Sequence, residues 1–120
     1  MSITLNIPEL APSLNGKGGL LRMHWTRRKK LLTKWQYLVM AAANGKRHVG
    51  PCHITIIRNY ASSPLDQDNC YAAAKLPLDA LRKCGIIKDD DNDTVLSLSC
   101  KQAKVATRKE QGTTIIITEP

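Results

Sequence analysis

Residues 66–91 read Asp66-Gln67-Asp68-Asn69-Cys70-Tyr71-Ala72-Ala73-Ala74-Lys75-Leu76-Pro77-Leu78-Asp79-Ala80-Leu81-Arg82-Lys83-Cys84-Gly85-Ile86-Ile87-Lys88-Asp89-Asp90-Asp91. The middle of this run has helical spacing and its two ends are acidic, so it sets one helix between two extended segments. Tyr71, Ala74, Leu78 and Leu81 recur three and four residues apart, which predicts a helix over Asn69–Cys84 with Gly85 as its C-terminal cap. Pro77 lies inside that pattern, lacks a backbone donor, and predicts a kink at its own position. Ile86 and Ile87 then return to the core before the acidic turn.

Working upstream, Cys52–Tyr60 alternates Ile54 and Ile56 with Thr55 and Ile57, the pattern of a strand opened by Gly50-Pro51 and broken by Ala61-Ser62-Ser63-Pro64. Before it, Leu31, Leu32, Trp35, Leu38, Val39 and Ala42 mark one face of a helix from Thr26 to Asn44, with Thr26 as its cap and Gly45 at its end. Ser2–Ile7 alternates Ile3, Leu5 and Ile7 with polar residues, a half-buried strand ended by Pro8 and Pro12. The loop from Ser13 to Gly19 carries three glycines but lacks the G-x-x-x-x-G-K-S/T spacing of a phosphate-binding loop, so no nucleotide cofactor is expected. Downstream, Thr94–Val105 and Gly112–Thr118 are two strands joined by the basic loop Ala106–Gln111. The order β-α-β-α-β-β predicts a single α+β domain over residues 1–120, with a mixed sheet and two helices.

Eighteen basic residues against ten acidic give a formal net charge of +8. Such a balance favours a polyanionic partner, above all nucleic acid, through counterion release; the plainer reading is a basic protein that is merely soluble or ribosome-associated. The absence of Phe leaves a core of Ile, Leu, Val and Ala. No apolar run has membrane-spanning length and no charged-then-apolar leader opens the chain, so a cytoplasmic protein is expected. Cys52, Cys70, Cys84 and Cys100 form no C-x-x-C pair, which points to buried reduced thiols rather than zinc or a disulfide framework.

Against this basic background, seven of the ten acidic residues lie between positions 66 and 93: Asp66, Asp68, Asp79, Asp89, Asp90, Asp91 and Asp93. In an extended segment the Asp66 and Asp68 carboxylates project to one side. Two such charges about 4 Å apart repel by roughly 4 kcal/mol at an effective dielectric near 20, a repulsion that a bound cation removes. Oxygen donors without His or Cys suit magnesium or manganese better than zinc, and the Asp89-Asp90 turn offers a third carboxylate. The alternative is a surface D-x-D that binds nothing. A calcium loop starting at Asp89 fails, because it would need Gly where Thr94 stands and Glu where Cys100 stands. Lys75 and Asp79, seven and eleven residues after Asp68, fall on its helical face. Lys75 either neutralises a phosphate oxygen beside the carboxylates or simply pairs with Asp79. Asn69 either caps the helix or holds a ligating carboxylate from behind.

The pattern D-x-D-N, K-x-x-x-D-A-L, G-x-x-x-D-D over residues 66–90 resembles the core motif of the RusA family of Holliday junction resolvases, small endonucleases of bacteria and their phages. The opening strand, Pro12-Ser13-Leu14-Asn15 and a helix bearing Arg and Trp resemble that family's amino-terminal half. The resemblance implies a homodimeric, Mg²⁺-dependent endodeoxyribonuclease, with Mn²⁺ as a substitute, that resolves four-way DNA junctions by paired symmetric incisions in recombination and repair. It implies Asp66, Asp68 and Asp90 as metal-binding catalytic carboxylates, with the register of the third open among Asp89, Asp90 and Asp91, and Lys75 as the catalytic lysine. Asn69 and Asp79 would support them. In the shorter form of the motif the lysine stands four residues after the second Asp, where this chain has Ala72. Lys75 lies three residues further on the same helical face. Asn15, Lys17, Arg22, His24, Arg27, Arg28, Lys29 and Lys30 would hold DNA backbones, reading shape rather than bases. A non-catalytic module that grips branched DNA and a less specific metal-dependent nuclease are the competing expectations.

Overall fold

The computed structural model describes residues 2–13 and 24–120. Its elements are β1 (Ser2–Ile7), α1 (Trp25–Ala43), β2 (Cys52–Tyr60), α2 (Gln67–Ala73), α3 (Lys75–Lys83), β3 (Val95–Lys104) and β4 (Gly112–Thr118), with a 3₁₀ turn at Arg108–Glu110. The expected order and the α+β class hold, and one mixed sheet runs β1-β4-β2-β3. The helical return between β2 and β3 makes that pair parallel, since the chain comes back to its starting end before it re-enters the sheet. The loop after β3 then crosses β2, so that β4 lies between β1 and β2 and antiparallel to both.

Alternation along the strands selects one buried face. Ile3, Leu5, Ile7, Cys52, Ile54, Ile56, Ile115 and Ile117 are nearly inaccessible, and Trp35 and Val39 of α1 and Leu81 of α3 complete the core with them. Burying each aliphatic side chain contributes about 1.5–3 kcal/mol. Trp35 is fully buried with its Nε1–H unpartnered among the described residues. Cys52, Cys70 and Cys100 are buried and Cys84 half-buried, all four as free thiols.

Local expectations at both helices need correction. The cap of α1 is His24, not Thr26: its Nδ1 accepts from the Thr26 N–H at 3.2 Å, and the helix starts at Trp25, which leaves Thr26 inside it. The other end turns through Asn44 (φ 49°) and Gly45 (φ 82°) in the left-handed region, with Asn44 as the cap. The second helix breaks at Ala74 rather than kinking at Pro77. The physical cause is still Pro77: it has no N–H for the carbonyl of Ala73, and its ring crowds that carbonyl, so the disruption appears one turn upstream. The apolar stripe shifts with it. Cys70, Ala73, Ala74, Leu76, Ala80 and Leu81 face inward, whereas Tyr71, expected in the stripe, is 42% exposed. Ile86 and Ile87 are buried as expected.

Candidate functional site at the carboxyl end of the parallel strands

Asp66 is the N-cap of α2, and Asp68 is already inside the helix rather than in an extended segment. The Asp66 Oδ1 accepts the Asn69 N–H at 2.8 Å and its Oδ2 accepts the Asn69 side-chain amide at 3.1 Å. Asn69 therefore supports Asp66 from behind and does not cap the helix. Asp68 lies in the first turn, exposed, with no hydrogen bond or ion pair among the described residues. Both carboxylates stand at a helix start, where backbone N–H groups favour negative charge. The helix thus offsets part of the repulsion that sequence reasoning assigned wholly to a cation.

The approach to this pair is clamped by groups that sequence reasoning missed. The Gln102 side chain on β3 makes two bonds to the Leu65 backbone, accepting its N–H at 2.8 Å and donating to its carbonyl at 2.8 Å. Arg58, buried on β2, donates Nε–H to the Ala11 carbonyl at 2.8 Å and an NH1 hydrogen to Gln102 Oε1 at 3.2 Å. Burial pulls the Arg58 guanidinium below its usual range, with the nearby Cys70 and Cys100 thiols opposing that shift. An arginine at the carboxyl end of a strand with period-2 burial was the available signal, since an inward-facing charge there must serve as an anchor.

The second acidic cluster lies at the opposite end of the sheet. Asp91 is committed to the turn entering β3: its Oδ1 accepts the Thr94 N–H at 2.9 Å and its carbonyl accepts the Val95 N–H at 2.9 Å. Asp89 Oδ1 accepts the Asp90 N–H at 2.7 Å. Asp90 Oδ2 stands 3.6 Å from Arg82 Nε, an ion pair without a hydrogen bond. From Val95 to Gln102 is seven residues of strand, about 23 Å at 3.3 Å per residue. In one chain, then, Asp66 and Asp68 do not meet Asp89 or Asp90, and no group of three His, Cys, Asp or Glu side chains arranged for a metal exists among the described residues.

Asp79 is likewise occupied elsewhere. Arg82 donates to its Oδ1 at 2.8 Å, a bond that raises the Arg82 pKa further, and Lys83 lies 3.5 Å from its Oδ2. The Lys75–Asp79 pair is therefore not formed. Lys75 opens α3, exposed, with no ion pair among the described residues.

The basic residues sit at the Asp66–Asp68 end. Chain direction requires it: α1 runs antiparallel to β1, Lys34 pairs with Glu9 just beyond β1, and Trp25 lies nine residues further out. Arg27, Arg28, Lys29 and Lys30 make no ion pair among the described residues, and the first turn holds no acidic residue. Arg27, Lys30, Leu31 and Lys34 line one open cleft of about 270 Å³. His24 is exposed but serves as the helix cap. Asn15, Lys17 and Arg22 lie outside the described residues. Compared with known proteins, the chain matches no family model, and no curated protein matches it.

Proposed function

We propose that this protein is an Mg²⁺-dependent endodeoxyribonuclease that acts as a homodimer on four-way DNA junctions. One observation carries the reading: in a chain of net charge +8, the exposed Asp66–Asp68 pair stands at the same end as the basic start of α1, and neither Asp68 nor Arg27 to Lys30 has an ion pair among the described residues. Phosphate would be drawn by the arginines and lysines to a point where carboxylates hold a cation.

Magnesium is commonly held by one or two carboxylates together with water and substrate phosphate, so Asp66 and Asp68 suit it by donor type. When bound, it supplies a Lewis acid that activates water and neutralises charge on the scissile phosphate. Asp68 is the open ligand. Asp66 is oriented by its two bonds to Asn69, and Lys75 contributes positive charge toward a phosphate oxygen.

The third carboxylate comes from the second protomer. β3 is an edge strand, and no described strand covers its outer side. Antiparallel pairing of two β3 edges about a two-fold axis sets the beginning of one beside the end of the other. Such pairing would set the partner's Asp90 turn next to Asp66 and Asp68, and would repeat the arrangement at the symmetric position. Two equivalent sites match a substrate with two-fold symmetry. A second reading, a branched-DNA-binding module without cleavage, draws on the capping role of Asp66, which holds that carboxylate in place without a metal.

The test is incubation of the protein with a labelled four-way junction and a matching linear duplex, with and without Mg²⁺, beside Asp68→Asn. Asp68 makes no hydrogen bond or ion pair among the described residues, so the variant is expected to fold and to bind junctions. Metal-dependent nicks in the junction alone, lost in the variant, are the expected result. Binding without cleavage under any divalent metal would replace the nuclease by the binding module, and equal cleavage of both substrates would remove the junction preference.

A further inference from the structure

Trp25 is the first residue of α1 and is 64% exposed, while the chain's other tryptophan, Trp35, is fully buried. A single exposed apolar residue is ordinary, but the setting of this ring is not. The His24 ring lies 5.9 Å from it, tilted by 31°. The indole also borders an open cleft of about 420 Å³ shared with Thr26, Lys29, Lys30 and Thr33. Lys30 lies on the wall between this cleft and the neighbouring one of Arg27 and Lys34.

Four successive cations, Arg27 to Lys30, crowd the positive end of a 19-residue helix dipole with no acid in the first turn. That arrangement is electrostatically unfavourable in the free protein and is relieved by an anion lying along the helix. A polyanion that also presents a flat apolar surface to the indole would use every feature of this corner at once. Duplex DNA offers the charge, but its base faces are covered by stacked neighbours. A strand with an unpaired base offers both.

We propose that Trp25 is a stacking platform for an unpaired nucleobase, with the flanking phosphates of that strand held by Arg27, Lys29 and Lys30. The ring belongs to the same end of the molecule as Asp66 and Asp68, so it deepens the nucleic-acid part of the function proposed above and rests on that part. It does not rest on cleavage. At a branch point, where pairing is strained, capture of one opened base would distinguish a junction from continuous duplex. Stacking on an aromatic side chain is sequence-tolerant, so the contact selects for the unpaired state rather than for a particular base.

The two tryptophans make the test direct, because Trp35 is shielded and Trp25 is the solvent-exposed emitter. The full chain, without divalent metal, is titrated with a short oligothymidylate and separately with a linear duplex while the long-wavelength tryptophan emission is followed. Saturable quenching by the oligothymidylate is expected. Trp25→Ala should weaken its binding by roughly tenfold or more, the loss of one stacked base, and Trp25→Tyr should restore most of it. Duplex affinity should change little in either variant. Since Trp25 is exposed, both variants should keep the wild-type circular dichroism. Binding of oligothymidylate without quenching, or with unchanged affinity in Trp25→Ala, overturns the proposal. So does a Trp25 emission shift that follows protein concentration in the absence of DNA, which would assign the ring to a protein contact. Failure of the junction to be cut while oligothymidylate still quenches Trp25 removes the nuclease reading and leaves this one standing.

Discussion

Asp66 and Asp68 stand two residues apart and serve different ends. Asp66 directs both oxygens at Asn69 and starts a helix; Asp68 is exposed, with no partner among the described residues. Sequence spacing made the pair visible, but the extended conformation assumed for it was wrong, because the helix begins at Gln67 and Asp66 is its cap. The Gln102 clamp was invisible, since a glutamine in a strand carries no signal of a backbone partner 37 residues away. Cys100 gives a test at this scale. Burial, with a side-chain bond to Cys70, raises its thiol from 9.0 to about 12. The folded chain keeps a proton that the unfolded chain releases, so this contribution to stability is complete below pH 9.0 and is lost as pH rises toward about 12. The urea midpoint is expected to fall between pH 9 and 11, and more gently in Cys100→Ala, where Cys52 and Cys84, also raised by burial, maintain part of the slope.

At the scale of elements, β1, β2 and β4 were legible because their burial has period two, and β2 and β4 occupy the residues that alternation assigns them. The break of the second helix was misplaced by about one turn. Proline acts on the carbonyl four residues before it, and pattern reading put the effect at the proline itself. Strand neighbours were less legible: the helical return dictates that β2 and β3 are parallel, but nothing in residues 106–111 says that the chain will cross β2 before it pairs. What seats β4 against β1 is Gly112. A Cβ there would meet the Ile7 carbonyl oxygen at 2.5 Å, a backbone atom that no rotamer change can move aside. Gly112→Ala is expected to destabilise the fold by about 1–3 kcal/mol through this overpacking, measured as a lower urea midpoint with an unchanged slope. A variant as stable as the parent would mean that β1 shifts freely against β4.

For the whole molecule, the acidic residues that cluster in sequence separate in space. The helical return of α2 and α3 carries the chain the length of the sheet, so the two ends of an acidic run of 26 residues come to lie at the two ends of β3. Local sequence reading treats neighbours in the run as neighbours in the site, and only the topology separates them. The dimer proposed above, paired through the β3 edge, would bring the two ends together across a two-fold axis. The decisive measurement is junction cleavage by a mixture of Asp68→Asn and Asp90→Asn proteins, each assayed alone, then after subunits are exchanged and mixed dimers are isolated through two different tags. Each variant alone should be inactive. The mixed dimer carries both substitutions in one site and neither in the other, so it is expected to nick the junction once in the presence of Mg²⁺ without completing the paired incision. Mixed dimers as inactive as their parents would contradict a site shared between protomers, as would an Asp90→Asn protein that cuts junctions normally.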